Sequence, residues 1–153
     1  MEQRGVAMFY GEYTHTIDRK GRLILPARLR EVAKANFIEK FFVTRGLDTC
    51  LFMFSEEEWR AQENKFKANP VTKSQVRTFN RLYFSGAVEM VPDRQGRILL
   101  PEYLKDFAGI KRDCMVVGVS SRIEIWSCDT WQGYYSAARQ SFEEIAEKLM
   151  EPS

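Results

Sequence analysis

Apolar and polar positions along the chain follow one order of short segments, and that order occurs twice. It consists of a β-rich stretch, a polar tetrapeptide, an apolar run, a proline and a segment with apolar residues at helical spacing. The first copy has these at residues 13–17, 18–21, 23–25, 26 and 27–35, and the second at 87–91, 93–96, 98–100, 101 and 102–108. Because proline cannot continue a central strand but suits the first turn of a helix, each copy predicts strand, turn, strand and short helix.

Each copy continues with two more predicted strands and a longer helix. The strands cover 41–44 and 50–54 in the first copy, and 114–119 and 122–126 in the second. Ser55 and Glu58 form a capping-box pattern at the start of the first long helix. The second long helix begins near Asp129 and carries an apolar stripe of Trp131, Tyr135, Ala138, Phe142, Ile145 and Leu149. Trp59 and Trp131 hold matching places in these helices and are predicted core anchors.

A basic linker separates the two copies, and in it Thr72 and Gln75 form the pattern of a cap for a further helix that ends near Leu82. The predicted division of the chain is a first repeat at 12–57, a basic helical linker at 58–85, a second repeat at 86–129 and a C-terminal helix at 130–149. One unit of short strands and small helices buries too little surface to be stable alone. The sequence therefore predicts an α+β fold in which two tandem repeats complete one core about a pseudo-twofold axis.

The polar tetrapeptides belong to a longer phrase that the chain repeats. Residues 18–29 read DRKGRLILPARL and residues 93–104 read DRQGRILLPEYL. Aspartate is favoured at the first position of a type I turn and glycine at the fourth, so Asp18 with Gly21, and Asp93 with Gly96, predict tight turns. From these residues alone, each Asp and the Arg four positions later either closes a surface turn or presents a cation to a partner.

Composition and charge exclude several classes of function. The chain is 44% hydrophobic and 29% charged, as in ordinary soluble proteins. It has no apolar run of the ~20 residues that a membrane span requires, and its first residues lack the apolar core of a signal peptide, so we expect a cytoplasmic protein. Three cysteines without a CxxC pair and a single His15 indicate no metal site and no catalytic set. We therefore expect no enzyme, no cofactor and no small-molecule substrate.

Two copies of D-x-x-G-R-[LI]-x-L-P, each in a predicted hairpin followed by a short helix, resemble the MraZ family. This family belongs to the AbrB-like (SpoVT-AbrB) swapped-hairpin superfamily, and the resemblance extends from about Met8 to Leu149. It implies a pseudo-twofold swapped-hairpin β-barrel, flanked by helices, that forms within one chain. It also implies a bacterial regulator on the nucleoid, a repressor of the division and cell-wall gene cluster that includes its own gene.

The resemblance also implies a site and partners. The partner is double-stranded DNA with short direct repeats, and the chains assemble into closed rings of about eight to twelve subunits. The predicted DNA-binding residues are Arg19, Lys20, Arg22, Arg94 and Arg97, and the residues that brace the motif are Asp18, Gly21, Asp93 and Gly96. The second copy is less basic, because Gln95, Glu102 and Tyr103 replace Lys20, Ala27 and Arg28.

A second hypothesis comes from a different class of function. An oligomeric, ring-forming scaffold could use the same basic turns to bind acidic proteins without reading DNA sequence. Replacing Arg22 and Arg97 by alanine separates the two, since only the DNA hypothesis requires promoter binding to be lost while the oligomer persists.

Overall fold

The strands and helices of this chain were assigned in a computed structural model that describes residues 7–152. In chain order they are β1 (Phe9–Thr16), β2 (Arg22–Ile24), α1 (Ala27–Ala35), β3 (Phe41–Arg45), β4 (Leu51–Ser55), α2 (Glu56–Lys67), α3 (Ser74–Tyr83), β5 (Val88–Met90), β6 (Arg97–Leu99), α4 (Glu102–Ala108), β7 (Asp113–Ser120), β8 (Arg122–Ser127) and α5 (Cys128–Met150). The predicted α+β class is confirmed, and the two proline-initiated helices have the predicted bounds.

The two halves exchange strands. A six-stranded antiparallel sheet has the order β1-β7-β8-β4-β3-β5, and β2 pairs with β6 in a separate two-stranded ribbon. The first strand of each half therefore pairs with the third strand of the other half, β1 with β7 and β5 with β3. The fold cannot be divided at the linker without breaking both sheets.

The strand registers follow a pseudo-twofold axis. In the ribbon, Leu23 faces Ile98, and these residues hold the same place in the repeated phrase. In the sheet, Phe52 of β4 faces Glu124 of β8, which also hold matching places, each three residues before the serine that caps the following helix. Pairing of matching positions is what a twofold axis requires, since residue i then contacts j and j contacts i.

The predicted hairpins are correct in their turns but not in their strand pairing. Between β1 and β2 there is one isolated bridge, from Ile17 to Leu23, and the strands then diverge. Backbone bonds of 2.9 Å from Asp18 N to Arg22 O and from Asp93 N to Arg97 O close the two turns. Beyond them, β2 and β6 pair with each other, and this buries Leu23 and Ile98 against a common core. The ribbon thereby links the edge strands β1 and β5, which gives the sheet its barrel-like closure.

The sheet is buried on both faces. On β4, Leu51 and Met53 point into one cluster while Phe52 and Phe54 point into the other, as strand alternation requires. The first cluster lies between the sheet, the ribbon and the helices α1 and α4. Its largest fully buried side chains are Phe9, Leu23, Leu25, Leu29, Phe41, Leu51, Met53, Ile98, Leu100, Leu104, Ile123 and Ile125.

The second cluster is aromatic and lies under α2 and α3. Trp59 is buried and stacks on Phe42 at 5.6 Å between ring centroids, which confirms it as a core anchor. The C-terminal end of α3 is held to the sheet by Arg45 Nη1, which donates to Leu82 O at 2.8 Å, and by the Thr44 hydroxyl, which donates to Tyr83 O. The linker helix is therefore part of the core.

Two details of the helices differ from the predictions. The residue before α3 is Lys73, and no side chain caps this helix, so the predicted cap from Thr72 is wrong. Helix α5 begins one residue before Asp129, and its cap is Ser127, whose Oγ accepts from Thr130 N at 3.0 Å. Most of its apolar stripe is exposed, because α5 packs only through its first turns on β7 and β8, where Trp131 lies against Trp126.

Replacement of Leu23 by alanine tests the role of the ribbon. Leu23 is fully buried at the centre of the β2–β6 ladder, so the cavity is expected to cost about 2–5 kcal/mol of unfolding free energy. Urea denaturation measures this, and Ile98→Ala is expected to behave alike. The neighbouring Ile24 is 43% exposed, so Ile24→Ala serves as the control and should cost under about 1 kcal/mol. Equal losses at positions 23 and 24 would contradict the inward orientation of Leu23.

Candidate nucleic-acid interface

The first turn is organised by one aspartate. Asp18 Oδ1 accepts hydrogen bonds from the backbone N–H groups of Lys20 and Arg22, both at 2.9 Å. Its other oxygen, Oδ2, accepts from Arg22 Nε at 2.8 Å. Gly21 N donates to Asp18 O at 3.0 Å and closes the turn. A single carboxylate thus fixes both the backbone of the turn and the start of the Arg22 side chain.

The second turn has the same contacts at the matching positions. Asp93 Oδ1 accepts from Gln95 N and Arg97 N, both at 2.9 Å, and Oδ2 accepts from Arg97 Nε at 2.7 Å. Both turns keep these contacts although Lys20 in the first corresponds to Gln95 in the second, so the geometry does not depend on the side chain at that position.

These contacts lower the pKa of both carboxyl groups. The main cause is the hydrogen bond from the backbone N–H of the arginine, Arg22 for Asp18 and Arg97 for Asp93, and the arginine side chain lowers the pKa further. Hydrogen bonds and positive charge both favour the ionised form of a carboxyl group. At neutral pH each turn therefore carries a carboxylate paired with a guanidinium.

The turn glycines have left-handed backbone conformations and bind the opposite half of the chain. Gly21 has φ +82° and Gly96 has φ +78°, values that are costly for residues with a Cβ. Gly96 O accepts from Leu25 N at 2.9 Å, and Gly21 O accepts from Leu100 N at 3.0 Å. Each turn is therefore fixed in position by the strand end of the other repeat.

The ribbon places the two motif arginines on one face. Leu23 and Ile98 point inward, so the flanking residues of the same strands point outward by alternation. Arg22 faces Leu99 and Arg97 faces Ile24, which makes the two arginines diagonal neighbours with Cα atoms about 7–8 Å apart. The side chains that the sequence singled out in separate repeats thus form one surface.

The remaining predicted basic residues lie at the tips of the turns. Arg19 and Lys20 are exposed in the first turn, and Arg94 is exposed in the second. Among the described residues, none of these three is held in an ion pair. Because β2 and β6 are antiparallel, the two turns lie at opposite ends of the ribbon, with Arg22 and Arg97 on the outer face between them.

Two basic residues near the turns were not among the predicted site residues. Arg30 of α1 lies over Gly96, and its Nε donates to Leu25 O at 3.0 Å. Lys105 of α4 holds the matching place over Gly21. Each of these residues approaches the turn of the other repeat, so spacing along the sequence gives no signal for the contact.

Within residues 7–152, no group of three or more His, Cys, Asp or Glu side chains is arranged to hold a metal ion. The same residues include no helix with the length and apolar character of a membrane span. All three cysteines are free, and burial raises the pKa of the Cys114 thiol to about 12, which keeps that thiol protonated at neutral pH.

The exchange of strands between two halves of one chain defines an AbrB-like swapped-hairpin protein. The sequence model of the family described as "MraZ protein, putative antitoxin-like" matches residues 8–82 and again residues 83–151. Over 144 residues the chain is 49% identical to the transcriptional regulator MraZ of Carboxydothermus hydrogenoformans. The aligned residues make up 94% of this chain and 98% of that protein. The chain therefore belongs to the MraZ family. Because this family of regulators is not enzymatic, the prediction that the chain is no enzyme is confirmed.

The low pKa of the two turn carboxyls predicts a pH-dependent contribution to stability. A carboxyl pKa that is lower in the folded state than in the unfolded state, where it is about 3.9, stabilises the fold above that pH. The contribution is lost as the pH falls through the folded-state value. The double variant Asp18→Asn/Asp93→Asn is therefore expected to be less stable than the native chain at pH 7, with a difference that shrinks on acidification.

Chemical denaturation at a series of pH values from 7 to below about 3 measures this difference. Asp106→Asn, an exposed position on α4, controls for the loss of a carboxylate elsewhere. A difference between native chain and double variant that stays constant with pH would contradict a stabilising ionised form.

Proposed function

We propose that this chain is a sequence-specific DNA-binding transcriptional regulator. Its DNA-contacting residues are Arg19, Lys20, Arg22, Arg94 and Arg97. The observation that carries the proposal is that two turns of identical internal geometry present their cations from one two-stranded ribbon. The naming of a close relative as a transcriptional regulator supports the same role.

The way in which each aspartate holds its arginine suits DNA contact. Asp18 and Asp93 bond the Nε atoms of Arg22 and Arg97, so the terminal nitrogens of both guanidinium groups stay available. A guanidinium group forks onto phosphate oxygens or onto the O6 and N7 atoms of guanine. The aspartates do not contact DNA, since a carboxylate is repelled by phosphate, and they act by orienting the arginines.

The ribbon has dimensions that fit the major groove. The groove is about 12 Å wide and admits a two-stranded β-ribbon. With the two arginines on diagonal positions, both reach the floor of one groove while Arg19, Lys20 and Arg94 contact the phosphates at its edges. The base contacts give the specificity, and the phosphate contacts give a salt-dependent affinity.

The proposed target is double-stranded DNA with short direct repeats upstream of the division and cell-wall gene cluster, including the protein's own gene. Bound there, the protein acts as a repressor and associates with the nucleoid in the cytoplasm. The family membership of the chain supports this assignment.

Assembly into a ring is part of the proposal. On α5 the large apolar side chains of Phe142, Ile145 and Leu149 are 68%, 51% and 81% exposed, and they lie on one face of the helix. Exposed apolar stripes of this kind mark contact sites for other protein surfaces. A ring of about eight to twelve copies would bind several DNA repeats at once, and the high effective concentration would compensate for the weak contact of each copy.

Replacement of both motif arginines tests the DNA-binding role. For Arg22→Ala/Arg97→Ala, affinity for a duplex from upstream of the protein's own gene is expected to fall roughly 30-fold or more, because two base-reading contacts are lost. Fluorescence anisotropy at about 50 and 200 mM salt measures the affinity, which for the native chain should fall by roughly two orders of magnitude between these salt concentrations. Footprinting on the same DNA locates the bound repeats.

Arg139→Ala is the matched control, since Arg139 is exposed on α5, across the sheet from the ribbon. It removes the same charge and should bind as the native chain does. Promoter binding that survives in the double variant would refute the assignment and favour the scaffold hypothesis, in which the oligomer is the functional unit.

The role of α5 in assembly is tested by Phe142→Glu. A charge within the exposed apolar stripe is expected to shift sedimentation from a large species toward the single chain, because a buried carboxylate without a partner opposes association. Gln140→Glu places the same charge on the other side of α5 and should leave the assembly intact. Unchanged sedimentation of Phe142→Glu would show that the stripe is not a contact between copies.

A further inference from the structure

Arg30 approaches the second turn closely. A Cβ built on Gly96 would lie 3.1 Å from Arg30 Nε and 3.3 Å from Nη1, so the side chain crosses directly over this glycine. The bond from Nε to Leu25 O fixes the stem of the side chain and leaves both terminal nitrogens available. Arg30 is exposed, and among the described residues no carboxylate forms an ion pair with it.

Lys105 holds the matching place at the first turn, but its charge is compensated. Its Nζ lies 3.0 Å from Glu102 Oε2, and its side chain is only 16% exposed. A Cβ on Gly21 would lie 3.3 Å from this same Nζ. Glu102 has no acidic counterpart in the first half, where Ala27 takes its place, so this neutralisation occurs on one side only.

The differences in charge between the two copies therefore offset each other. The first turn has two cations outside ion pairs, Arg19 and Lys20, and the lysine beside it is paired. The second turn has lost one cation, since Gln95 stands in place of Lys20, and it retains Arg94. Arg30 places a cation over Gly96, the residue after Gln95, from the other side of the boundary between the repeats.

We propose that Arg30 is a DNA-contacting residue of the second turn and that Glu102 withholds Lys105 from DNA at the first. Each tip is then composite, built from a turn of one repeat and a helix of the other, and each presents two available cations beside its motif arginine. This inference rests on the proposed DNA-binding function and adds residues outside the DxxxR motif.

The test compares charge-removing and charge-keeping variants at position 30. Arg30→Gln is expected to weaken binding to the duplex from upstream of the protein's own gene roughly tenfold at about 0.1 M salt. The slope of log affinity against log salt should become shallower by about 1. Arg30→Lys keeps the charge and should keep the slope. Arg28→Gln, which removes the same charge from the same helix on the side of β1, should bind as the native chain does.

Glu102→Gln provides a variant with the opposite expectation. Removal of its charge frees Lys105, so affinity should rise and the salt slope should steepen. Thermal unfolding followed by circular dichroism accompanies every variant, because Arg30 also holds Leu25 O. If Arg30→Gln and Arg30→Lys both lower the unfolding temperature and both keep the native salt slope, Arg30 is structural and the inference is overturned.

The failure of this inference differs from failure of the proposed function. If Arg22→Ala/Arg97→Ala no longer binds the duplex while Arg30→Gln keeps both the native affinity and the native salt slope, only the proposed role of Arg30 is contradicted. If the native chain does not bind the duplex, or if the double variant binds as well as the native chain, the DNA-binding function itself falls.

Discussion

The pairing of β2 with β6 is the interaction on which the rest of the structure depends. Three residues from each repeat form this ladder, with Leu23 opposite Ile98 at its centre. The ladder covers the side of the first core cluster that faces away from the six-stranded sheet. The residues that follow it, Leu25 and Leu100, bond the turn glycines. It also brings two distant segments of the chain to one surface. Within residues 7–152 neither strand forms a second ladder, and the bridge from Ile17 to Leu23 is isolated. Loss of the β2–β6 ladder would therefore remove the core wall and the basic surface together.

A second constraint acts within each turn. An aspartate that accepts three hydrogen bonds leaves little freedom to the backbone around it, and its bond to Nε limits the arginine side chain as well. Part of the side-chain entropy that DNA binding would cost is therefore already lost in the free protein, since an ordered side chain has fewer conformers to lose. The same aspartate thus contributes to folding and to recognition, while the residue before the glycine can differ, as Lys20 and Gln95 do.

The sequence was sufficient for the elements whose signals are local. Pro26 and Pro101 set the starts of α1 and α4, and the Asp and Gly of each phrase set the turns. Strand pairing was less accessible, because alternation predicts that 23–25 is a strand without indicating its partner. The resemblance to a swapped-hairpin family indicated that the two hairpins interlock, without giving the partner of each strand. The positions of Arg30 and Lys105 depend on contacts between the repeats, so they do not follow from the local sequence pattern. The exposure of the α5 stripe depends on which part of the helix packs against the sheet, which the local pattern does not indicate either.

Linkage of the two repeats in one chain has a consequence for behaviour at low abundance. Halves that exchange strands as separate subunits would form their barrel in a second-order reaction, and dilution would dissociate it. Here α2 and α3 connect the halves covalently, so closure of the barrel is unimolecular and depends on the reach of that connection. Even a few molecules per cell would each retain an intact pair of arginine-bearing turns, and only assembly beyond the single chain would respond to how much protein is made.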